Sequence, residues 1–283
     1  MSSRLMRQGI ELGIQLGIEF GKTGDCGLYP IGMVTFDRDV HQKITEFIER
    51  HELDPRGRKV AVFDADGTLW REDIGEEFFQ FQIEKKWLKP DYTWVRYWNE
   101  MNTGDKLKAY GWLAQWNAGV QENDLREQVQ VFLRERFNHA VFEPMRTLTH
   151  SFVNAGFEIW VVSASPIWTV QEATRGFGIQ QDHIIGVSVI VEGGVLTDQL
   201  VTPLPFRDGK AILIKSKIGV APLFVAGNTI WDREMMEMAT EMTLSISSES
   251  VESTNFESEQ KLLEFAQEKN KANKKIPWLV QKF

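Results

Sequence analysis

The stretch Lys59–Trp70, KVAVFDADGTLW, decides how the rest of the chain is read. Val60, Ala61, Val62 and Phe63 form a short continuous apolar run, the pattern of a buried central strand. The run stops at Asp64-Ala65-Asp66-Gly67-Thr68, so two carboxylates two residues apart follow directly on the strand. An unpaired carboxylate is costly to remove from water. A polar turn would account for Gly67 but not for both acids, which points to chemistry at the end of this strand.

Upstream, DRDVHQKITEFIERHE (37–52) spaces Val40, Ile44, Phe47 and Ile48 as one face of an amphipathic helix, and Asp54-Pro55-Arg56-Gly57 ends it. Downstream the character changes. From 70 to 142 strand-like runs are absent, Trp87, Trp94, Trp98, Trp112 and Trp116 accumulate, and stretches such as VQVFLRERF have helical periodicity. This predicts an inserted helical cap over 70–142.

After Pro144 helices and strands alternate. We expect a helix over about 145–154, a strand over 157–163 (FEIWVVS) and a helix after Pro166. IIGVSVIVEGGVLTDQLV predicts a strand pair around Gly193-Gly194. A helix at 209–217, a strand at 223–226, a helix from about Asp232, a short strand near 243–246 and a helix at 257–270 follow, with IPWLVQKF as an edge strand. The alternation predicts an α/β fold, a Rossmann-like three-layer core with a mainly parallel sheet, formed by 33–69 and 143–283.

Residues 1–32 stand apart. GIELGIQLGIEFG alternates apolar with small or polar residues, and its repeated Gly disfavours a helix. Two readings are open, an appended edge strand or a start codon placed before the true one at Met33, and no function is assigned to the extension.

The 283 residues suffice for one large or two smaller domains, and 42% apolar with 25% charged residues is an ordinary globular balance. A formal charge of −8 argues against a dedicated nucleic-acid binder, which needs a basic footprint. A single cysteine, Cys26, cannot form an intrachain disulfide and fits a reducing compartment. No apolar run approaches the roughly 18–20 residues of a membrane span, and no secretory leader pattern opens the chain. The expectation is a cytoplasmic protein without nucleic-acid or membrane partners; oligomeric state leaves no mark on the sequence.

In a parallel sheet ligands sit beyond the carboxyl ends of the strands. Asp64 and Asp66 fall at one such end, and three further elements bring polar groups to the same edge. VVSAS carries Ser163 and Ser165, DGK carries Lys210 at a helix start, and VAGNTIWD carries Asn228 and Asp232. Carboxylates with an amide oxygen suit Mg²⁺, and Ser with Lys suits a phosphate. Ser165 has a competing role as a cap for the helix after Pro166.

This ordered set resembles the haloacid dehalogenase superfamily, and within it the phosphoserine-phosphatase-like branch with a helical cap. The DxDGT motif is matched by Asp64-Ala65-Asp66-Gly67-Thr68, the strand ending in Ser by Val161-Val162-Ser163, and the Lys by Lys210, with Lys215 as the alternative. The acidic pair after Gly appears as Gly227-Asn228-Thr229-Ile230-Trp231-Asp232, with Asn in the first acidic position.

The resemblance implies a Mg²⁺-dependent phosphatase. Asp64 is the implied nucleophile and Asp66 the implied general acid and base. Mg²⁺ would be held by Asp64, the Asp66 backbone carbonyl, Asn228 and Asp232, and the transferred phosphoryl group by Gly67, Thr68, Ser163 and Lys210. The second Asp favours phosphomonoester hydrolysis over dehalogenation. A phosphotransferase using the same intermediate is one alternative; a non-catalytic phospho-metabolite-binding protein is another, because of Asn228.

The choice of a small phosphomonoester would lie in 70–142. Asp73 stands nine residues after Asp64, where the family's phosphoserine phosphatases carry an acidic contact to the substrate ammonium. Asp73 or Glu76 would then favour serine, ethanolamine or choline as leaving group, whereas Arg96 would favour a substrate carboxylate. Glu77 could serve in the same way, and a solvated helix start explains these acids equally well. The pairs Trp94/Trp98 and Trp112/Trp116 are expected first as the cap's own core, and second as an aromatic cage for a quaternary ammonium.

Overall fold

A computed structural model describes residues 35–283 apart from 53, 55, 56, 273 and 274. The extension 1–32, Met33 and Cys26 lie outside the described residues.

Chain order is α1 (Arg38–Glu52), β1 (Val60–Phe63), α2 (Ile74–Glu84), α3 (Trp94–Thr103), α4 (Lys106–Gln115), α5 (Glu122–Phe132), α6 (Glu143–Asn154) and β2 (Glu158–Pro166). It continues with α7 (Ile167–Ala173), β3 (Ile184–Val187), β4 (Val189–Glu192), β5 (Val195–Leu200), α8 (Asp208–Lys217), β6 (Phe224–Gly227), α9 (Arg233–Met236), β7 (Met242–Ser247), α10 (Phe256–Ala272) and β8 (Trp278–Lys282). Six strands form a sheet in the order β3-β2-β1-β6-β7-β8, every neighbouring pair parallel.

The run around Phe63 is central for a simple reason. All four β1 side chains are buried. Their alternation sends Ala61 and Phe63 into one apolar layer with Phe47, Phe152 and Phe224, and Val60 and Val62 into the opposite layer with Ile214, Met235 and Leu262. A strand covered on both faces needs no polar alternation, and its sequence has none. The chain runs outward from β1 through β2 and β3, then restarts on the other side with β6, β7 and β8. The strand order therefore reverses at β1, and the crevice at its carboxyl end is the expected ligand position.

Most expected elements are present with ends shifted by one to three residues. Two differ. IIGVSVIVEGGVLTDQLV is not one strand pair: Ile184–Val187 is the parallel edge strand of the main sheet, and Val189–Glu192 pairs antiparallel with Val195–Leu200 as a separate hairpin. The unbroken strand-like pattern of IIGVSVIV hid that change of sheet at Ser188, whereas the turn at Gly193 and Gly194, both at positive φ, was visible. The helix expected from Asp232 is a single turn, Arg233–Met236, preceded by a 3₁₀ turn at Ile230–Asp232.

The segment 70–142 is helical and carries its own apolar cluster of Phe79, Tyr97, Met101, Ala109, Leu113 and Trp116. Trp94 stacks on Trp98 and Trp112 on Trp116, with centroids 5.5 and 5.0 Å apart, and both pairs pack against that cluster. The β4–β5 hairpin braces the segment: Gly119 N donates to Leu196 O, Leu196 N to Val120 O and Glu122 N to Gly194 O. A buried carboxylate adds a second tie. Glu172 of α7 accepts from Arg126 and Gln130 of α5 and from Arg175. No helix among the described residues is long and apolar enough to cross a membrane.

Candidate active site

Parallel pairing sets Phe63 level with Val161 of β2 and Ala226 of β6, so the next residues of all three strands emerge together. Asp64 N donates to Ala226 O (2.9 Å), which extends the β1–β6 ladder by one residue and fixes the Asp64 backbone. Lys210 enters from the first turn of α8, and Asn228 and Asp232 follow β6.

Asp64, Lys210 and Asp232 are all buried. The Lys210 ammonium donates to Asp64 Oδ1 (2.6 Å) and to Asp232 Oδ1 (2.5 Å), so one cation bridges two carboxylates. Thr68 Oγ1 donates to Asp64 Oδ2 (3.1 Å). Asp232 Oδ2 accepts from the backbone N–H groups of Asn228 (3.2 Å) and Thr229 (3.1 Å) and shapes the turn after β6. Burial, then the neighbouring Asp232, pushes the Asp64 carboxyl up to about 7 against the pull of Lys210. Burial opposes the charge on Lys210, but Asp232 and Asp64 outweigh it and raise its pKa.

Asp66 is enclosed by four donors. Its Oδ1 accepts from Trp70 Nε1 (2.9 Å) and Ile74 N (2.8 Å), and its Oδ2 from the hydroxyls of Ser163 (2.9 Å) and Ser165 (2.8 Å). Ser165 is therefore not the cap of α7, which has no side-chain cap; its hydroxyl also accepts from Gly75 N (3.2 Å) at the start of α2. Gly67 adopts φ +71°, and a Cβ there would lie 1.8 Å from Asn228 Nδ2. The glycine thus permits both the left-handed turn and the seat of the Asn228 side chain.

One cavity is lined by Asp64, Asp66, Gly67, Asp73, Lys210, Asn228 and Asp232. Asp73 caps α2 by accepting from Glu76 N (2.9 Å), and burial, then Asp66 and Glu76, holds its carboxyl well above the usual range. Glu76 does not line this cavity; it accepts from Tyr97 OH (2.8 Å), and burial pushes it up to about 7. Arg96 is not brought to the site. It is exposed on α3, with its guanidinium over Trp112 and Trp116 at 5.1 and 5.5 Å. None of the paired tryptophans lines the cavity.

Arg71, Tyr110, Phe206, Trp231, Glu249 and Asn255 also line it, and sequence reading missed all six. Trp231 lies inside the GNTIWD stretch and Arg71 just before Asp73, so both carried a local signal. Tyr110, Phe206, Glu249 and Asn255 come from segments whose convergence only the fold reveals.

The resemblance implies Mg²⁺, an ion that takes hard oxygen donors. Among the described residues no three His, Cys, Asp or Glu side chains converge as a ligand set. The reason is local: an amide, Asn228, stands beside two carboxylates that one ammonium brings together. Two carboxylates, an amide oxygen and a backbone carbonyl are hard oxygen donors, and Mg²⁺ commonly takes one or two carboxylates and keeps several waters. Lys210 offsets one of the two negative charges, so the buried group retains a deficit that a divalent cation would meet. The residues fit the ion.

A buried carboxylate pair crossed by a lysine thus lies at the point where a parallel sheet reverses its order, the place where open α/β folds bind their ligands. The profile of the haloacid dehalogenase-like hydrolases matches residues 61–237, and the chain belongs to that family. No curated protein sequence matches it. Among solved structures, a protein of unknown function from Bordetella pertussis Tohama I shares 19% identity over 80% of this chain and 98% of that one, with a TM-score of 0.65. A functionally unknown protein from Anaerococcus prevotii DSM 20548 shares 13% identity over 88% and 93%, with a TM-score of 0.63. Cytosolic 5′-nucleotidase IIIB bound to cytidine shares 14% identity over 86% and 85%, with a TM-score of 0.53. These likenesses are to the fold.

Proposed function

We propose that the protein is a Mg²⁺-dependent phosphatase that hydrolyses a small phosphomonoester through an aspartyl-phosphate on Asp64. The observation that carries this reading is the Asp64 carboxylate at the end of the central strand, gripped by Lys210 and Thr68, with Asp66 in the same cavity. An Asp64 oxygen attacks phosphorus and the P–O bond to the alcohol breaks, with Asp66 giving its proton to the departing oxygen. Asp66 then takes a proton from water, whose oxygen attacks phosphorus and restores the Asp64 carboxylate. Two of the four donors around Asp66 are serine hydroxyls, which can rotate away and free an oxygen for these transfers.

Lys210, Ser163, Thr68 and the N–H groups near Gly67 stabilise the charge on the transferred group. Mg²⁺, held by Asp64, the Asp66 carbonyl, Asn228 and Asp232, would supply further stabilisation of that charge. In this reading residues 70–142 act as a cap that excludes water before phosphoryl transfer. The substrate is a small molecule, and the protein works in the cytoplasm.

Asn228 supports a second reading, a phospho-metabolite-binding protein without turnover, because the family's first acidic position here lacks its charge. Phosphate release from phosphoserine, phosphocholine, phosphoethanolamine and an aryl phosphate, with and without Mg²⁺, separates the two. The phosphatase reading predicts Mg²⁺-dependent release that Asp64→Asn abolishes. Tight ester binding with no release at any Mg²⁺ concentration would favour the second.

A further inference from the structure

Two features of the cavity have no part in phosphoryl transfer: an aromatic wall and an excess of acid. Tyr110 of α4, Phe206 before α8 and Trp231 after β6 line the same cavity as Asp64. Their rings are contiguous, Tyr110 to Phe206 at 5.2 Å and Phe206 to Trp231 at 5.9 Å. Interplanar angles of 48° and 45° leave no parallel slot between neighbouring rings for a flat base. The Arg207 guanidinium sits 4.1 Å from the Trp231 centroid and 5.1 Å from that of Phe206, which fixes both rings before any ligand arrives.

The cavity's acids are Asp64, Asp66, Asp73, Asp232 and Glu249, against the bases Lys210 and Arg71. Lys210 is engaged by Asp64 and Asp232. Arg71 reaches the Ser248 carbonyl (3.5 Å) and lies over the Phe142 ring. Asp73 and Glu249 are thus carboxylates that phosphoryl transfer does not use. Asp73 is fixed as a helix cap, and the Glu249 backbone is anchored by buried Glu259, which accepts from the N–H groups of Ser248 (2.8 Å) and Glu249 (3.1 Å). Asp73 also stands close enough to Tyr110 to be, after burial, the main cause of its raised pKa.

We infer that Tyr110, Phe206 and Trp231, with Asp73 and Glu249, form the leaving-group subsite, and that the leaving group is a compact alkylammonium alcohol. The inference rests on the phosphatase reading and narrows it. Aromatic faces and carboxylates both attract an ammonium. A second anionic group on the substrate would compete for Lys210 and Arg71, the two bases that line the cavity and are already engaged, which disfavours a carboxylate-bearing ester such as phosphoserine. This aromatic surface replaces the tryptophan pairs of 94–116 as the place for a cation.

The test is titration calorimetry of the full-length Asp64→Asn variant with three ligands of equal phosphate charge. These are phosphocholine, its carbon isostere with a tert-butyl group for trimethylammonium, and a nucleoside monophosphate. Phosphocholine is expected to bind about tenfold tighter than the isostere. Adding Asp73→Asn, which keeps the helix cap, should bring the two within about threefold by weakening phosphocholine more than the isostere. Equal binding of the isostere, tighter binding of the nucleotide, or no binding of any of the three overturns the inference. The parent reading is judged separately, by wild-type phosphate release from an aryl phosphate. Release without ammonium preference keeps the phosphatase and removes this subsite; ammonium preference without release does the reverse.

Discussion

Lys210→Met tests the electrostatic frame of the site. The side chain is 3% exposed and its ammonium serves two carboxylates at 2.6 and 2.5 Å. Met keeps most of the volume, so little cavity cost is expected. What is lost is the cation shared by Asp64 and Asp232, and breaking a buried pair on one side costs about 3–5 kcal/mol. In a fold of this size each kcal/mol shifts Tm by roughly 2–4 °C. Thermal unfolding at pH 8 should therefore show a Tm lowered by about 6–20 °C. The deficit must also depend on pH. The Asp64 carboxyl already sits at about 7, above its ordinary 3.8, so its contribution to stability is present at low pH and lost as pH rises through 7. Without Lys210 that loss deepens, because ionisation then leaves two unpaired buried carboxylates. The Tm deficit should shrink when the scan is repeated at pH 5. An equal deficit at both pH values, or one under about 2 °C at pH 8, would refute the reasoning.

Gly67→Ala forces a Cβ into the Asn228 amide and an L-residue into φ +71°, which alone costs about 1–2 kcal/mol; Tm should fall by about 2–8 °C, and phosphatase activity should fall further than stability explains. Glu76→Gln retains an acceptor for Tyr97 and removes a carboxyl whose pKa rises from 4.5 to about 7 on folding. Wild type should lose stability relative to this variant as pH rises from about 4.5 through 7, by on the order of 3 kcal/mol in denaturant titrations. Asn228→Asp adds a charged oxygen ligand, so half-maximal activity should require about tenfold less Mg²⁺; an unchanged Mg²⁺ requirement would remove Asn228 from the ligand set.

Much of the fold was legible because its central strands are short apolar runs that end abruptly in polar residues, as at Phe63-Asp64 and Val162-Ser163. The grouping of the candidate site residues was legible for the same reason: strand ends in a parallel sheet point to one edge, so the order of residues alone brings Asp64, Ser163 and Asn228 together. Long-range convergence was not legible. Nothing local marks Tyr110, Phe206 and Glu249 as neighbours of Asp64, since three separate crossovers bring them there. Helical spacing drew attention instead to Arg96 and the tryptophan pairs, but their shared face meets Phe79 and its neighbours rather than the cavity. Ser165 was ambiguous by sequence because capping and cross-strand bonding use the same hydroxyl; its 2.8 Å bond to Asp66 decides the matter.

The claim at the centre of this account is the covalent step on Asp64. Full-length protein mixed with Mg²⁺ and an aryl phosphate, quenched in acid within the first turnover and digested for mass spectrometry, should carry a phosphoryl group on the peptide containing Asp64. The adduct should be absent in Asp64→Asn. Phosphate release at an undiminished rate from Asp64→Asn, or a phosphoryl group trapped on any other residue, would contradict the account.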